Sequence, residues 1–402
     1  MKVCLVTGYP PNIGRGAESS WLLVEELAKY EEIEEVYVLG NYNGESIEIK
    51  NKVRIFRIWK ENRLSNAFLI FRKILEIRPD VVHIVYSYLF YGSPFYSSVF
   101  TTFIFFLLKF MRIPLVVTIH QIFALSDINK NFQQTFSAHM PLFLIKIGFY
   151  ILNKIISWCS DIIIMLHKRH KEILLKDYKI KNTFYIPIGL REIRPFSQDE
   201  AKEILGLKNK FILLFFGFIA PFKGIEFVIE AIRFLRERID NIFFIIAGSI
   251  LPSLKNDFNT INYTKLLKKS IQVVDMQRYV MLKDYYISEE EAALLFSSAD
   301  IVVLPYQQQS GPSEIFKKAS LYKIPVVASD IDYLKEDVID GTTGILVSPK
   351  DPHKLSSAIV NLYKDKSLYN LIKKNIGRVS KEYDIKRTAQ LHLQLYKDIY
   401  ER

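Results

Sequence analysis

Three glycine-bearing loops and one histidine hold the residue types that can handle a phosphorylated substrate. The first loop runs over residues 7–18, where Gly8, Gly14 and Gly16 precede a helical pattern opening at Ala17. Glycines ahead of a helix N-terminus let backbone N–H groups approach a phosphate, and the helix dipole favours the anion. The loop has neither the GxGxxG spacing of a dinucleotide fold nor the lysine of a P-loop, so neither motif is matched. The second loop, 216–224, carries Gly217 and Lys223-Gly224 between a strand and a helix. A lysine at a strand's carboxyl end can pair with a diphosphate whose charge grows as it departs. The third, 305–314, sets Ser310, Gly311, Pro312, Ser313 and Glu314 before another helix. Ser310 or Ser313 suits its N-cap and Pro312 its first turn. His120 closes the run 115–119, where an imidazole can hydrogen-bond a substrate hydroxyl or stabilise a developing charge. Taken singly, these read equally as a tight turn, a surface lysine, an ordinary cap and a structural histidine. Together, at strand ends in both halves of one chain, they point to anion handling.

The elements that must position them alternate. Short β-branched runs at 3–7, 36–39, 53–58, 81–85, 115–119, 162–165 and 183–186 predict the strands of a first half. Runs at 211–216, 242–247, 279–282, 301–304, 326–328 and 344–347 predict those of a second. Helical patterns fall between them, as at 17–30, 224–238 and 288–298. Strand–helix alternation implies parallel sheets built from βαβ units. The fold class is α/β, with two doubly wound Rossmann-like domains expected to face each other across a cleft, where ligands of such sheets bind at the carboxyl ends of the strands. Pro187, Gly189 and Pro195 cluster where strand periodicity stops, which places a linker near 188–198. The chain ends in helical patterns at 352–364, 367–381 and 385–400, and no repeat of 20–50 residues is present.

Composition narrows the class. At 402 residues the chain holds two or three domains of ordinary size, and 50% apolar with 24% charged residues is neither disordered nor fibrous. The two cysteines, Cys4 and Cys159, lie far apart in apolar runs, which excludes a disulfide scaffold and fits a reducing, cytoplasmic compartment. The apolar run after Met1 is too short for a signal peptide, so secretion is not expected. The histidines show no metal-ligand spacing. Of the formal charge of +11, residues 89–181 supply +7, with 11 Lys/Arg against 4 Asp/Glu. Residues 89–108 carry no charge, but their Gly, Ser, Thr and Pro content and the strand run that follows favour a buried helix over a membrane span. The segment 141–159 mixes Phe143, Leu144, Ile147, Phe149 and Ile151 with Lys146 and Lys154. It reads either as a core helix with solvated lysines or as an interfacial helix whose lysines meet an anionic membrane on the inner face of the cell. No nucleic-acid motif accompanies the charge.

These residues in this order resemble the retaining, GT-B-fold glycosyltransferases of the large group 1, or family 4, type. The likeness spans nearly the whole chain: the Gly14/Gly16 loop, Thr118-Ile119-His120, Ser160-Asp161, Ile186-Pro187-Ile188-Gly189 and Gly217 with Lys223-Gly224. It continues through 299–305, 325–330 and 340–347. The resemblance implies an acceptor-side domain over 1–190, a nucleotide-sugar domain over 191–383, and a last helix, about 384–402, packing back on the first. It implies transfer of a hexose from a UDP- or GDP-linked donor to a lipid-linked or growing surface glycan, with retention and with neither metal nor cofactor. His120 and Lys223 would be catalytic; Gly14, Gly16, Gly217, Lys223, Ser310, Gly311, Ser313 and Glu314 would bind the donor.

The chain also departs from the family pattern. Positions where the family often has Arg hold Phe218 and Ala220; its pair of glutamates eight apart falls on Ser310 and Lys318, and its second loop glycine on Ser313. Glu314 could stand in for the lost carboxylate, and Arg15, Arg191 or Lys318 for the lost cation. The departures leave room for a second reading, a catalytically degenerate GT-B scaffold partnering an active enzyme. A nucleotide-sugar epimerase is a third, for which no carboxylate-rich cleft is found.

Overall fold

Strands buried on both faces read as unbroken apolar runs, and that is how the two sheets are encoded. The computed structural model describes all residues except 12–15, 43–46, 89, 136–139, 192–194, 251–256, 273–275, 309–312 and 402. It divides into two units, one of Met1–Arg191 with Asp384–Arg402 and the other of Glu192–Tyr383.

The first unit carries β1 (Lys2–Val6), α1 (Ala17–Leu27), β2 (Glu35–Asn41), β3 (Ile47–Lys50), β4 (Val53–Trp59), α2 (Ser65–Ile77), β5 (Val81–Tyr86) and α3 (Pro94–Phe110). β6 (Leu115–Ile119), α4 (Lys130–Thr135), α5 (Leu142–Cys159), β7 (Ile162–Met165), α6 (Lys168–Lys176) and β8 (Thr183–Tyr185) follow. The sheet order is β3-β4-β2-β1-β5-β6-β7-β8, parallel throughout except for β3, which lies antiparallel along β4. The period of two divides its faces. Val3 and Leu5 of β1 face a core shared with Leu23 and Leu27 of α1, while Cys4 and Val6 face one shared with α2, α3 and α5. Both cysteines are buried and free.

The second unit carries α7 (Gln198–Ile204), β9 (Phe211–Phe216), α8 (Ile225–Leu235), β10 (Ile242–Ala247), α9 (Phe258–Gln272), β11 (Val280–Lys283) and α10 (Glu289–Ser298). It continues with β12 (Ile301–Leu304), α11 (Glu314–Leu321), β13 (Val326–Ser329), α12 (Asp332–Asp337), β14 (Gly344–Val347), α13 (Pro352–Lys364) and α14 (Lys366–Val379). Its sheet, β11-β10-β9-β12-β13-β14, is wholly parallel. Strand order reverses between β9 and β12, which makes the ends of these two strands the switch point where doubly wound sheets take ligands. α15 (Ile385–Tyr400) rejoins the first unit against α1, capped by Asp384, which accepts from the Lys386 N–H at 2.9 Å.

Several expected elements differ, among them the helix at 224–238, which ends at Leu235. The first helix ends at Leu27, not residue 30, and continues as a turn through Ala28 and Lys29. Within the uncharged run at 89–108 a helix begins at Pro94 and extends to Phe110, but only one side is buried: Phe100, Ile104, Phe105 and Leu108 enter the core, while Phe103, Phe106 and Phe110 are exposed. A 17-residue helix on one face of a sheet covers the core with a single stripe, so its other side faces outward.

Candidate functional site

In the first unit, the loop after β1 is held from below. Tyr9 is buried, and its N–H donates to Asn41 Oδ1 at 3.1 Å. The buried Arg57 pairs with Glu48 at 2.7 Å and donates to the carbonyl of Pro10. Beyond residues 12–15, Gly16 starts α1 with φ 71° and ψ 14°, in the left-handed region that favours glycine. A Cβ there would stand 2.8 Å from Cε1 and 3.0 Å from Nε2 of His120. The His120 ring therefore lies against the Gly16 backbone, and two residues 104 positions apart form one feature. His120 follows the last residue of β6 and donates its backbone N–H to Tyr86 O at 2.9 Å. Its ring is partly exposed.

Behind it lies a polar cluster that the sequence did not reveal. His83 of β5 is buried, with Nε2 2.7 Å from Thr118 Oγ1 and Nδ1 2.6 Å from the Tyr396 hydroxyl of α15. His392 of α15 stacks beside it at 5.5 Å and donates Nδ1–H to Thr388 O at 2.8 Å. Burial lowers both imidazoles, His392 to about 4, so both are neutral.

In the second unit, the site forms at the ends of β9 and β12. Gly217 leaves β9 with φ 127°, and Gly248, φ 145°, packs onto it so closely that a Cβ would meet Gly217 O at 2.0 Å. The chain then turns through residues 221–223 to Gly224, whose Cβ position is 2.2 Å from Pro305 O. Only glycine allows that approach. Gln307 fastens the turn, donating its backbone N–H to Phe222 O at 2.8 Å and its Nε2–H to Pro221 O at 3.1 Å and Glu226 Oε1 at 3.0 Å. Tyr263 donates to Glu226 and accepts the Ile225 N–H at 3.1 Å.

Lys223 stands on this turn, half-buried, with Nζ 3.5 Å above the centre of the Tyr306 ring. Burial is what lowers its ammonium from 10.5 to about 8, and among the described residues no carboxylate pairs with it. The buried Tyr306 hydroxyl is hydrogen-bonded to the Ser313 side chain. Ser313 is the N-cap of α11, accepting the Phe316 N–H at 3.2 Å and donating its own N–H to Asp337 Oδ2 at 3.1 Å. Ile315 approaches Gly217, and Lys318 lies 5.7 Å from the Phe216 ring centre.

The structure thus brings Gly16 to His120 in one unit, and Gly217, Lys223 and Ser313 to one strand-end neighbourhood in the other. Glu314 opens α11 exposed to solvent. Gly14, Ser310 and Gly311 lie outside the described residues, as does Arg15. Arg191 is engaged elsewhere, 3.0 Å from Glu25 and over the Trp21 ring. Among the described residues no group of three or more His, Cys, Asp or Glu could hold a metal. The sequence does not mark Tyr306, Gln307, Glu226 and Tyr263, because their roles are tertiary; only the position of Tyr306 and Gln307 within the third loop hints at theirs.

The family model "Glycosyl transferases group 1" matches residues 197–378, nearly the whole second unit. Alpha-D-kanosaminyltransferase of Streptomyces kanamyceticus is 25% identical over 50% of this chain and 49% of its own length, so the chain spans about half of that relative. An uncharacterized glycosyltransferase of Methanocaldococcus jannaschii is 24% identical over 100% of this chain and 98% of its own. Among solved structures, Anabaena HepE in complex with UDP superposes with a TM-score of 0.72 at 15% identity, over 99% of this chain and 100% of that one; the likeness is one of fold. Residues 197–378 thus match the group 1 glycosyl transferases, and the chain as a whole has the GT-B fold.

Proposed function

We propose that the chain transfers a hexose from a nucleoside diphosphate sugar, UDP- or GDP-linked, to a lipid-linked or growing surface glycan, with retention of anomeric configuration. The second unit takes the donor and the first the acceptor. Lys223 carries the reading: a half-buried cation at the end of β9, with no carboxylate partner among the described residues, calls for an anion brought by a ligand. The likeness to a fold crystallised with UDP supports a nucleotide as that ligand. In the transfer, the bond from the anomeric carbon to the diphosphate breaks, the acceptor oxygen replaces it, and the diphosphate leaves with the hydroxyl proton. The Lys223 ammonium meets the charge that grows on the leaving oxygen, where such a group acts more strongly than in the ground state. Within the first unit, the α1 N-terminus at Gly16 and the adjoining His120 ring present backbone N–H groups and an imidazole, groups that suit an anion and a sugar hydroxyl.

The test is release of free nucleoside diphosphate from a panel of UDP- and GDP-sugars with membrane lipid extract as acceptor source. Lys223→Ala should lower kcat/KM on the order of 10²-fold; an unchanged value removes the lysine from the reaction. A second reading, a scaffold that binds donor without turnover, is favoured by Phe218 and Ala220 where the family often has Arg and by Lys318 where it has Glu. Donor binding with no release across the panel would establish it.

A further inference from the structure

α5 is 18 residues long with a mean hydropathy of 1.5, apolar enough by length and composition to cross a bilayer, yet only 22% of it is buried. Its inner edge belongs to the fold. Leu152 and Ile156 lie in the core, and the buried Asn153 donates from Nδ2 to the Tyr88 hydroxyl at 3.0 Å. A helix pinned in this way remains in its domain and does not span. Its outer edge repeats at helical spacing, with Phe143, Ile147, Ile151 and Trp158 all exposed. α3 packs alongside α5 and adds Phe103, Phe106 and Phe110, the last 86% exposed. The two stripes are continuous: the Phe106 and Trp158 rings lie 5.6 Å apart, beside a groove of about 430 Å³ whose wall includes Tyr150 and Lys154. Single exposed apolar residues are ordinary, but a connected aromatic face on two helices marks an interaction surface.

Charge identifies the partner. Neither α3 nor α5 contains an Asp or Glu, and no acidic residue occurs from 89 to 126. Lys109 lies 6.0 Å from the Trp158 ring centre and Lys154 5.7 Å from that of Tyr150, each with its stem along the apolar face. Lys146 lies on the flank of α5, half-buried. A partner that is apolar in depth and negative at its surface matches both features, and that is the chemistry of an anionic bilayer. We propose that the α3–α5 face seats on an anionic lipid bilayer, its exposed aromatics entering the headgroup–acyl boundary and Lys109, Lys146 and Lys154 meeting lipid phosphates. The inference concerns binding alone and stands apart from the transfer reaction.

The test uses the full chain and vesicles of phosphatidylcholine with or without phosphatidylglycerol. Co-sedimentation is expected with the anionic vesicles and to be at least about tenfold weaker with the zwitterionic ones. Trp158 emission should shift to the blue on binding, and Trp158→Phe should remove that shift. The triple change Lys109→Gln, Lys146→Gln, Lys154→Gln should lower anionic partition at least about tenfold with an unchanged far-UV spectrum. Phe110→Ser with Phe143→Ser, both at exposed sites, should lower it on either lipid. Failure to bind either vesicle, or binding indifferent to the lysines, would overturn the proposal. So would a dimer in solution that the Phe110→Ser/Phe143→Ser chain dissolves, which would assign the face to a second copy.

Discussion

Changing Gly16 to alanine adds one methyl group where the first unit has room only for an imidazole. The new Cβ would stand 2.8 Å from His120 Cε1. Non-bonded carbons settle at about 3.5–4.0 Å, so the ring must withdraw by roughly 1 Å. The left-handed backbone at φ 71° costs alanine about 1–2 kcal/mol in addition. Two losses are therefore expected: stability of about 2 kcal/mol, and rate of up to about 10²-fold if His120 must hold the sugar in place. The two causes separate in a double-mutant cycle with His120→Ala. Without the ring the methyl makes an ordinary contact with Ser19 Oγ at 3.6 Å, so Gly16→Ala should then cost only the backbone strain, a coupling of about 1 kcal/mol. Trp21, Trp59 and Trp158 are all in the first unit, so tryptophan fluorescence during urea unfolding reports on that unit. Nucleotide release gives the rate, and the double mutant should be no slower than His120→Ala. Equal destabilisation by Gly16→Ala in both backgrounds would refute the contact. An unaltered rate in His120→Ala would refute the role.

The Lys223 ammonium, held at about 8 by burial, should deprotonate in the free protein near that pH, so kcat/KM should fall on the alkaline side. Lys223→Arg, which does not titrate there, should flatten that limb; persistence of the limb in the arginine variant assigns it to another group. The linked stability has the opposite sign: the penalty of a desolvated ammonium is complete below about 8 and is relieved as pH rises toward 10.5. His392, lowered from 6.5 to about 4, adds stability that is complete above 6.5 and is lost as pH falls toward 4, up to about 3 kcal/mol. Tryptophan-detected urea unfolding at pH 7 and pH 4.5 should show that loss, and His392→Asn should reduce it; an equal loss in the variant would move the acid sensitivity elsewhere.

The sheets were legible because their strands are covered on both faces, so 211–216, 242–247 and 301–304 could be read directly as apolar runs. β3 was not legible. It is four residues long, alternates Ile-Glu-Ile-Lys, and is antiparallel at the sheet edge, where the signal of full burial fails. α15 showed its period but not its destination: the residues that dock it, His392 and Tyr396, meet His83 more than 300 positions earlier. The same holds within the site. Gly16, Lys223 and Ser313 announced themselves by residue type at strand-to-helix junctions. Arg57, Glu226 and Gln307 did not, because their types are common and their work lies in holding loops that are remote in sequence.

The departures from the family pattern also gain a physical reading within the second unit. Ala220 is fully buried at the start of the turn, so that position offers no route for a cation to reach solvent. Lys318, one turn into α11, has its ammonium near the Phe216 ring, and Ile315 of the same helix approaches the neighbouring Gly217. Where the resemblance expects a carboxylate, this chain therefore carries a cation in the neighbourhood of the Gly217 loop. The exchange removes a hydrogen-bond acceptor for hydroxyl groups and adds a positive charge for phosphates. Recognition would then rest more on the diphosphate and less on the ribose. Glu314, exposed at the start of the same helix, is the acidic residue placed one turn from Lys318 to recover part of that loss.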